Sequence, residues 1–352
     1  MTTSCMFRLA PLFTMPTRIR RLLPLRRTVA ATALFLTMGV VPVAARQSET
    51  LALEEQPQGL MLAHHLPQQG PDPLPGGFST THEEAPVPPN TGPISLAMGA
   101  DWVSAYYFRG IVFQESGGDN VQPYLELRFR LLENLGPLTS LTVAGGVWES
   151  FHSGGGTLVE PSDPKFWFES NLDAKLTATW WKVLTTGVTF TYYDSPNDSF
   201  SSLSDIAINT ALDDSQWLGA FALNPSLVFA FQTKGHFVPS ADTDGIYMGL
   251  GLAPGYTLFK DSKYPVNVSL PMTFGFSVSD YYTTANGQNQ TFGYFQGGPL
   301  LTIPLNFISD RFGQWAFRGG VQFLALNSNL KEIDAQGDGF VPIGSVGFSM
   351  TY

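Results

Sequence analysis

The sequence is nearly devoid of cysteine and poor in charge. Its 352 residues contain one cysteine, Cys5, and 14% of them are charged, whereas about a quarter are charged in an average soluble protein. Disulfides, thiol catalysis and cysteine-based metal sites are therefore excluded after residue 5. A mean hydropathy of +0.03 also argues against a bundle of membrane-spanning helices.

Acidic residues are absent from the first 45 positions, which instead hold six arginines. Residues 18–27 are basic, residues 28–41 are apolar, and Val43-Ala44-Ala45 supplies the small residues expected before a cleavage site. This order is typical of a secretory signal peptide, and the apolar stretch is shorter than the roughly 20 residues of a spanning helix. We therefore predict a signal peptide over 1–45 and an exported protein.

The chain beyond that segment is strongly acidic. Without the six arginines, 13 basic and 29 acidic residues remain, a formal charge of −16. Such a chain repels phosphates, so no nucleic acid is expected among its partners. Residues 46–93 contain nine prolines, several Gln and Gly, and little patterned apolar content. This composition predicts a disordered or extended linker.

Apolar and polar residues alternate from residue 94 onwards. In residues 121–131 every second residue is apolar or proline, and the residues between them are mostly polar. Residues 166–180 repeat the pattern, with Phe168 assigned to the apolar face and Glu169 to the opposite face. A period of two indicates a β-sheet with two unlike faces.

Strand length separates a soluble sandwich from a membrane barrel. The alternating segments run for about 11–15 residues, whereas soluble strands usually have about 5–6 and tilted membrane strands about 9–11. Aromatic residues near the segment ends suit the headgroup zones of a bilayer. We assign to these zones Trp102, Tyr106, Tyr107, Phe108, Trp180, Trp181, Tyr192, Tyr193, Tyr281 and Tyr282.

The predicted fold is all-β: an up-and-down antiparallel transmembrane β-barrel of about 12 strands over residues 94–352. The strands are placed at approximately 94–108, 121–132, 140–150, 165–180, 183–193, 202–212, 217–232, 245–259, 264–278, 291–307, 314–326 and 339–352. Long loops follow odd-numbered strands, and short turns, such as Trp181-Lys182 and Asp213–Gln216, follow even-numbered ones. An outer-membrane barrel has long loops outside and short turns in the periplasm.

The last strand carries the most specific pattern. Val346, Phe348, Met350 and Tyr352 share one face, and the chain ends on the aromatic residue Tyr352. This is the form of the assembly signal of outer-membrane barrels. It predicts the bacterial outer membrane as the location, with outer-membrane lipids and the barrel-assembly machinery as partners.

The predicted inward face carries charges of both signs. The candidates for the lumen and its selectivity are Glu126, Arg128, Arg130, Glu169, Asp173, Lys175 and Arg318, together with the neutral Gln322. Opposed charges in a water-filled lumen select solutes by charge, which predicts a porin that passes small polar solutes by diffusion. Alternatively, the same charges pair across strands and plug a narrow barrel, which would then be a non-conducting structural or adhesive protein.

An outer-membrane lipid hydrolase is a further alternative. His152 and His236 are the histidines of the barrel region; Ser153 follows the first, and Asp242 and Asp244 lie near the second. Loops of this composition bring such residues together by chance, so we expect no enzyme and no catalytic residue. Asp-Gly segments in the loops lack the ligand spacing of a calcium loop, so no metal or cofactor is expected.

A strand-end motif, Tyr106-Tyr107-Phe108-Arg109-Gly110-Ile111, precedes Gln114 and the Gln122-Pro123 pair. With Gly146–Ser150 and Tyr192–Pro196, it resembles the TorF-type family of porins over residues 94–200. The resemblance implies an outer-membrane barrel and carries over no catalytic residue. Taken by itself, Arg109 is a cation beside a glycine that permits a tight turn; it would pair with an acid, contact a lipid headgroup or bind solute.

Overall fold

The computed structural model describes residues 92–115, 118–153, 166–236, 245–283, 287–333 and 337–352. The signal peptide predicted over 1–45 and nearly all of the linker predicted over 46–93 lie outside these ranges. Among the described residues, no helix has the length and apolar character needed to cross a bilayer.

The described chain consists mainly of β-strands. They are β1 (Ile94–Val103), β2 (Tyr106–Phe108), β3 (Ile111–Gln114), β4 (Asn120–Leu135), β5 (Leu138–His152), β6 (Trp167–Trp180), β7 (Leu184–Asp194), β8 (Leu203–Leu212), β9 (Ser226–Lys234), β10 (Ile246–Leu252), β11 (Gly255–Leu258), β12 (Val266–Ser269), β13 (Met272–Ser279), β14 (Phe292–Gly297), β15 (Leu300–Pro304), β16 (Gln314–Leu326) and β17 (Phe340–Thr351). Two short helices are α1 (Ser215–Leu218) and α2 (Ser328–Ile333).

All strands except β2 and β3 form one antiparallel sheet that closes on itself. Each barrel strand pairs with its neighbours in chain order, and β17 pairs with both β16 and β1. The closing register places Ala97 opposite Thr351 and Val103 opposite Ser345. Because β10–β11, β12–β13 and β14–β15 each act as one barrel strand, the barrel has 12 strands, and the predicted fold is confirmed.

Prolines explain why three adjacent barrel strands are each split in two. Pro254, Pro271 and Pro299 lie at the three breaks, and a proline has no N–H to donate to the ladder. Their carbonyl groups still accept hydrogen bonds from the next strand, for example Leu270 N to Pro254 O at 2.8 Å. The wall therefore continues through the breaks without losing its register.

The two faces of the wall differ as the alternation predicts. Along β4, Leu125 and Leu127 point outwards and are 41% and 37% exposed, whereas Gln122 and Glu126 point inwards and are buried. The assignment of Phe168 was wrong, since both Phe168 and its neighbour Glu169 are buried on the inner side. The pairing of β5 with β6 shifts register just beyond this point, and a bulge changes which face a residue occupies.

The turn predicted at Asp213–Gln216 is longer than expected. Residues 213–225 contain α1 followed by a 3-10 helix, Gly219–Phe221, and β9 begins at Ser226 rather than at 217. The Asp214 carboxylate accepts hydrogen bonds from the backbone N–H groups of Leu223 and Asn224, which closes the turn. Aromatic residues in this turn remain exposed.

Candidate functional site in the barrel lumen

The hairpin β2–β3 is folded into the barrel, so the prediction of a continuous strand over 94–108 was wrong. β1 ends at Val103, and the motif Tyr106–Gly110 forms most of the hairpin instead of a strand end. Phe108 pairs with Ile111 across a two-residue turn, Arg109-Gly110. Both side chains of that pair are fully buried. The hairpin therefore fills space that the wall alone would leave open.

The turn is held in an unusual conformation. Arg109 has a φ of 49° and Gly110 a φ of 80°, which is the pattern of a two-residue hairpin turn that favours Asn-Gly. A side chain larger than Asn is disfavoured in the left-handed region by roughly 1–2 kcal/mol. Such a conformation persists where surrounding contacts hold it.

The Arg109 side chain makes those contacts. Its Nη1 lies 2.9 Å from Asp205 Oδ2 on β8 and donates to the Tyr281 hydroxyl at 3.2 Å. The guanidinium also lies over the Phe108 and Tyr247 rings, 4.6 and 4.7 Å from their centroids. Of the roles considered for Arg109, the structure shows the pairing with an acid. The pair anchors the hairpin tip to the far wall.

A second anchor joins the hairpin base to β6. The Tyr106 hydroxyl donates to Glu169 Oε2 at 3.1 Å, and Asn171 donates to the other carboxylate oxygen at 2.9 Å. Both Tyr106 and Glu169 are buried, so this hydrogen bond is shielded from water. Glu169, a predicted lumen residue, thus faces the hairpin.

Aromatic side chains surround the hairpin on several sides. Tyr193, Tyr281 and Tyr282 are at most 2% exposed, and the Tyr282 hydroxyl donates to the Arg109 carbonyl at 3.0 Å. The prediction that these tyrosines and Tyr106–Phe108 lie in headgroup zones was therefore wrong. Trp102 and Trp181 do face outwards, with 37% and 63% of their surface exposed.

A charged network lies on the inner wall of β4 and β6. Glu126 forms ion pairs with Arg128 and with Lys175, whose Nζ is 3.1 Å from Glu126 Oε2. Asp173 lies 3.8 Å from the same Lys175 nitrogen. Since Glu126 contacts both cations, it is the centre of the network.

The other predicted lumen residues lie apart from this network. Arg318 Nη2 is 2.6 Å from Asp101 Oδ2 on β1, and both side chains are largely buried. Arg130 is about one-third exposed and pairs with Glu133 near the turn that joins β4 to β5. Gln322 is buried on β16 and donates to the Gly298 carbonyl at 2.7 Å.

Replacing Glu126 by glutamine is expected to lower the free energy of unfolding by about 2–3 kcal/mol, because Arg128 and Lys175, both largely buried, would then lose the carboxylate that they share. The matched control is Glu133→Gln, whose partner Arg130 is solvent-accessible; a change of about 0–1 kcal/mol is expected there. Denaturant unfolding of the refolded barrel measures both values. Equal changes in the two variants would contradict a stabilising role for the network.

The histidine of the hydrolase alternative is enclosed by the wall. His152 Nε2 lies 2.8 Å from both Ser150 Oγ and Asn120 Nδ2, and its ring stacks on Phe168. Ser150, Asn120 and His152 are at most 2% exposed, whereas Ser153, the serine that the sequence places beside this histidine, is exposed and its Oγ accepts a hydrogen bond from the Asp119 N–H at 2.8 Å. His236 is described, but its sequence neighbours Asp242 and Asp244 are not.

Within the described ranges, no group of His, Cys, Asp or Glu side chains could hold a metal ion.

The acidic partners of two inward-facing arginines were not anticipated from the sequence. Asp205 and Asp101 both occupy inward positions of strands with alternating polarity. That alternation could have identified them as residues of the inner face, although not their partners. Their partners Arg109 and Arg318 are 96 and 217 residues away along the chain, so no local pattern connects them.

No family model matches the sequence, and no curated protein sequence matches it. Among solved structures, the chain is similar to the beta domain of the Bordetella autotransporter BrkA, with 9% identity, a TM-score of 0.40, and coverage of 74% of this chain and 99% of that one. It is also similar to the NanC porin, with 9% identity, a TM-score of 0.37, and coverage of 72% and 98%. A third similar structure is the translocator domain of NalP from Neisseria meningitidis, with 10% identity, a TM-score of 0.34, and coverage of 74% of this chain and 89% of that one. At these values the similarity assigns no function.

Proposed function

We propose that the chain is a barrel of the bacterial outer membrane that passes small polar solutes by diffusion, with a lumen narrowed by the inward hairpin. The observation that carries the membrane location is the exposed apolar surface on the outside of a closed barrel. Leucine, isoleucine, valine and phenylalanine side chains there are more than a third exposed on strand after strand. Examples are Leu172, Val188, Ile208, Leu250, Val278, Leu301, Phe323 and Phe348.

Exposed aromatic residues lie near both ends of the barrel, as two girdles in a bilayer would require. At the end with the short turns these are Trp181, Trp217, Phe221, Phe259, Phe307 and Phe312. At the other end they are Trp102, Phe166, Trp167, Phe292 and Phe340. A soluble barrel would not gain from exposing so many large rings, so this arrangement supports the outer membrane and a lipid partner.

The barrel interior combines a charged inner wall with an apolar cluster around the hairpin. A 12-stranded barrel lies between filled eight-stranded barrels and open sixteen-stranded ones. Its inner wall carries Glu126, Lys175, Asp173 and Arg318, whereas the apolar cluster inside the barrel combines hairpin residues with wall residues such as Trp148, Tyr247 and Leu324. Displacement of the hairpin would remove its share of that cluster and open the charged part of the inner wall to water. Export through the signal peptide over 1–45, insertion by the barrel-assembly machinery and membership of the TorF-type family of porins belong to the same proposal.

Liposome swelling tests the transport step. We expect vesicles containing the full-length barrel to swell in isosmotic glycerol faster than protein-free vesicles, and to show no added swelling in a large oligosaccharide. The rate should be slow because the hairpin narrows the lumen. Equal swelling with and without protein would instead support a non-conducting structural or adhesive barrel. The two anchors would then hold the hairpin permanently in the lumen.

A further inference from the structure

A cavity lies between the hairpin and the inner wall on the side opposite the Arg109–Asp205 pair. Tyr106 and Tyr107 of the hairpin line it together with wall residues of β1, β4, β5, β14, β15, β16 and β17. The cavity has a volume of about 50 Å³ and accommodates about four waters or one small solute.

Three buried polar atoms at this cavity have no hydrogen-bond partner within the described part of the chain. They are Gln122 Nε2, Arg318 Nε and Gln322 Oε1. Their residues are 4%, 8% and 1% exposed, and all three line the cavity. Leaving such a group unpaired costs roughly 1–3 kcal/mol each, so a protein retains them where something else binds them. Two donors and one acceptor thus remain for a ligand.

The ionised groups at the cavity neutralise each other. Asp101 and Arg318 are the charged residues that line it, and they form an ion pair at 2.6 Å. The pair spans β17 at Gly347, where an added Cβ would collide with the Asp101 carboxylate. The cavity therefore has no net charge to attract an ion, and it favours a neutral ligand.

Aromatic rings supply the rest of the lining. Tyr124 and Trp148 lie on paired strands at the cavity wall, and the Trp148 ring packs against the Tyr106 ring with 5.6 Å between their centroids. Flat rings pack well against C–H groups, while a few placed polar groups fix a ligand's orientation. A ligand that combines C–H surfaces with hydroxyl groups able to donate and accept would satisfy both kinds of lining.

We propose that this cavity binds a small neutral polyhydroxylated solute of about the size of glycerol, held by Gln122, Gln322 and Arg318 beneath the hairpin. The proposal deepens, and rests on, the transport function proposed above, since it names the solute class and a binding site along its path. It does not depend on how fast the hairpin moves.

Saturation-transfer NMR on the full-length barrel, refolded in a detergent without a sugar headgroup, tests the site with glycerol and with acetate as probes. We expect transfer to glycerol and none to acetate. Gln122→Leu and Gln322→Leu should each weaken glycerol binding about tenfold, the equivalent of one lost hydrogen bond of about 1.4 kcal/mol. Gln232→Leu is the matched control, because this buried glutamine lies on β9, outside the cavity, and should leave binding unchanged.

Stability gives a second measurement that does not need the ligand. Gln122→Leu keeps a similar volume and removes a buried amide nitrogen that has no partner among the described residues, so the denaturant midpoint should stay equal or rise while binding falls. Transfer to acetate instead of glycerol, or no transfer to either probe, would overturn the proposal and leave the cavity to water alone. Glycerol binding without liposome swelling would support the binding site and contradict the transport function. Swelling without glycerol binding would support the transport function and contradict the binding site.

Discussion

Replacing Arg109 by asparagine is expected to open the lumen while leaving the hairpin turn intact. Asn-Gly is the preferred pair for a two-residue turn with positive φ at both positions, so the substitution relieves the strain at residue 109. It also removes the guanidinium that binds Asp205, and both side chains of that pair are at most 3% exposed. Asp205 keeps the hydrogen bond from the Tyr193 hydroxyl but loses its cation. Removing one partner of a buried ion pair costs about 3–5 kcal/mol, which would shift the equilibrium from docked to displaced hairpin by a factor of about 100 or more.

Single-channel recording in planar bilayers measures this shift. We expect rare current steps from the unmodified barrel, and steps of the same size with a roughly hundredfold higher open fraction from Arg109→Asn. Deleting residues 106–114 should give a permanently open channel. The matched control is Arg311→Asn, since Arg311 lies on an exposed turn over the Phe312 ring and contacts no part of the hairpin that is described.

A double variant separates electrostatics from simple loss of packing. With Arg109→Asn and Asp205→Asn combined, no uncompensated charge remains, so the open fraction should fall back towards that of the unmodified barrel. If both Arg109→Asn and the deletion of 106–114 were electrically silent, the lumen would not be a conducting path. The non-conducting alternative would then stand.

The number of strands could be predicted because a barrel wall imposes a period of two wherever one face meets an apolar medium and the other a polar one. The same pattern led to the wrong prediction of a single strand over 94–108, whereas β1 ends at Val103. Tyr106, Tyr107 and Phe108 continue an apolar aromatic run after Val103, so nothing local marks the bend at residues 104–105. The inward position of Glu126 and Lys175 follows from alternation, whereas their pairing depends on the register between β4, β5 and β6.

The hairpin could not be predicted, because its anchors are distant in sequence. Arg109 binds Asp205 and Tyr281, which are 96 and 172 residues further along the chain. Aromatic residues at strand ends suit a bilayer headgroup zone and a buried lumen equally well by composition. Only the fold shows that Tyr281 belongs to the lumen and Trp181 to the outside.

Replacing Leu172 by arginine is expected to destabilise the barrel in phospholipid vesicles by about 2–4 kcal/mol, the cost of an arginine on the lipid face near the middle of the bilayer. Leu172 lies in the central part of β6 and is 56% exposed on the outer face. If that face contacted water, the same substitution would change stability by about half a kcal/mol or less, since exposed sites without special contacts tolerate change.

Leu218→Arg provides the matched control for this experiment. Leu218 has a similar exposure, 44%, but lies in α1 in the turn between β8 and β9, where the cost near the membrane interface should be about 0–1 kcal/mol. Guanidinium unfolding of both variants in the same vesicles gives the difference directly. A small, equal effect of the two substitutions would mean that the outer face of β6 does not contact hydrocarbon. The membrane location would then lose its support, because the interpretation of the exposed aromatic residues as girdles and of the interior as a lumen assumes that the outer face contacts hydrocarbon.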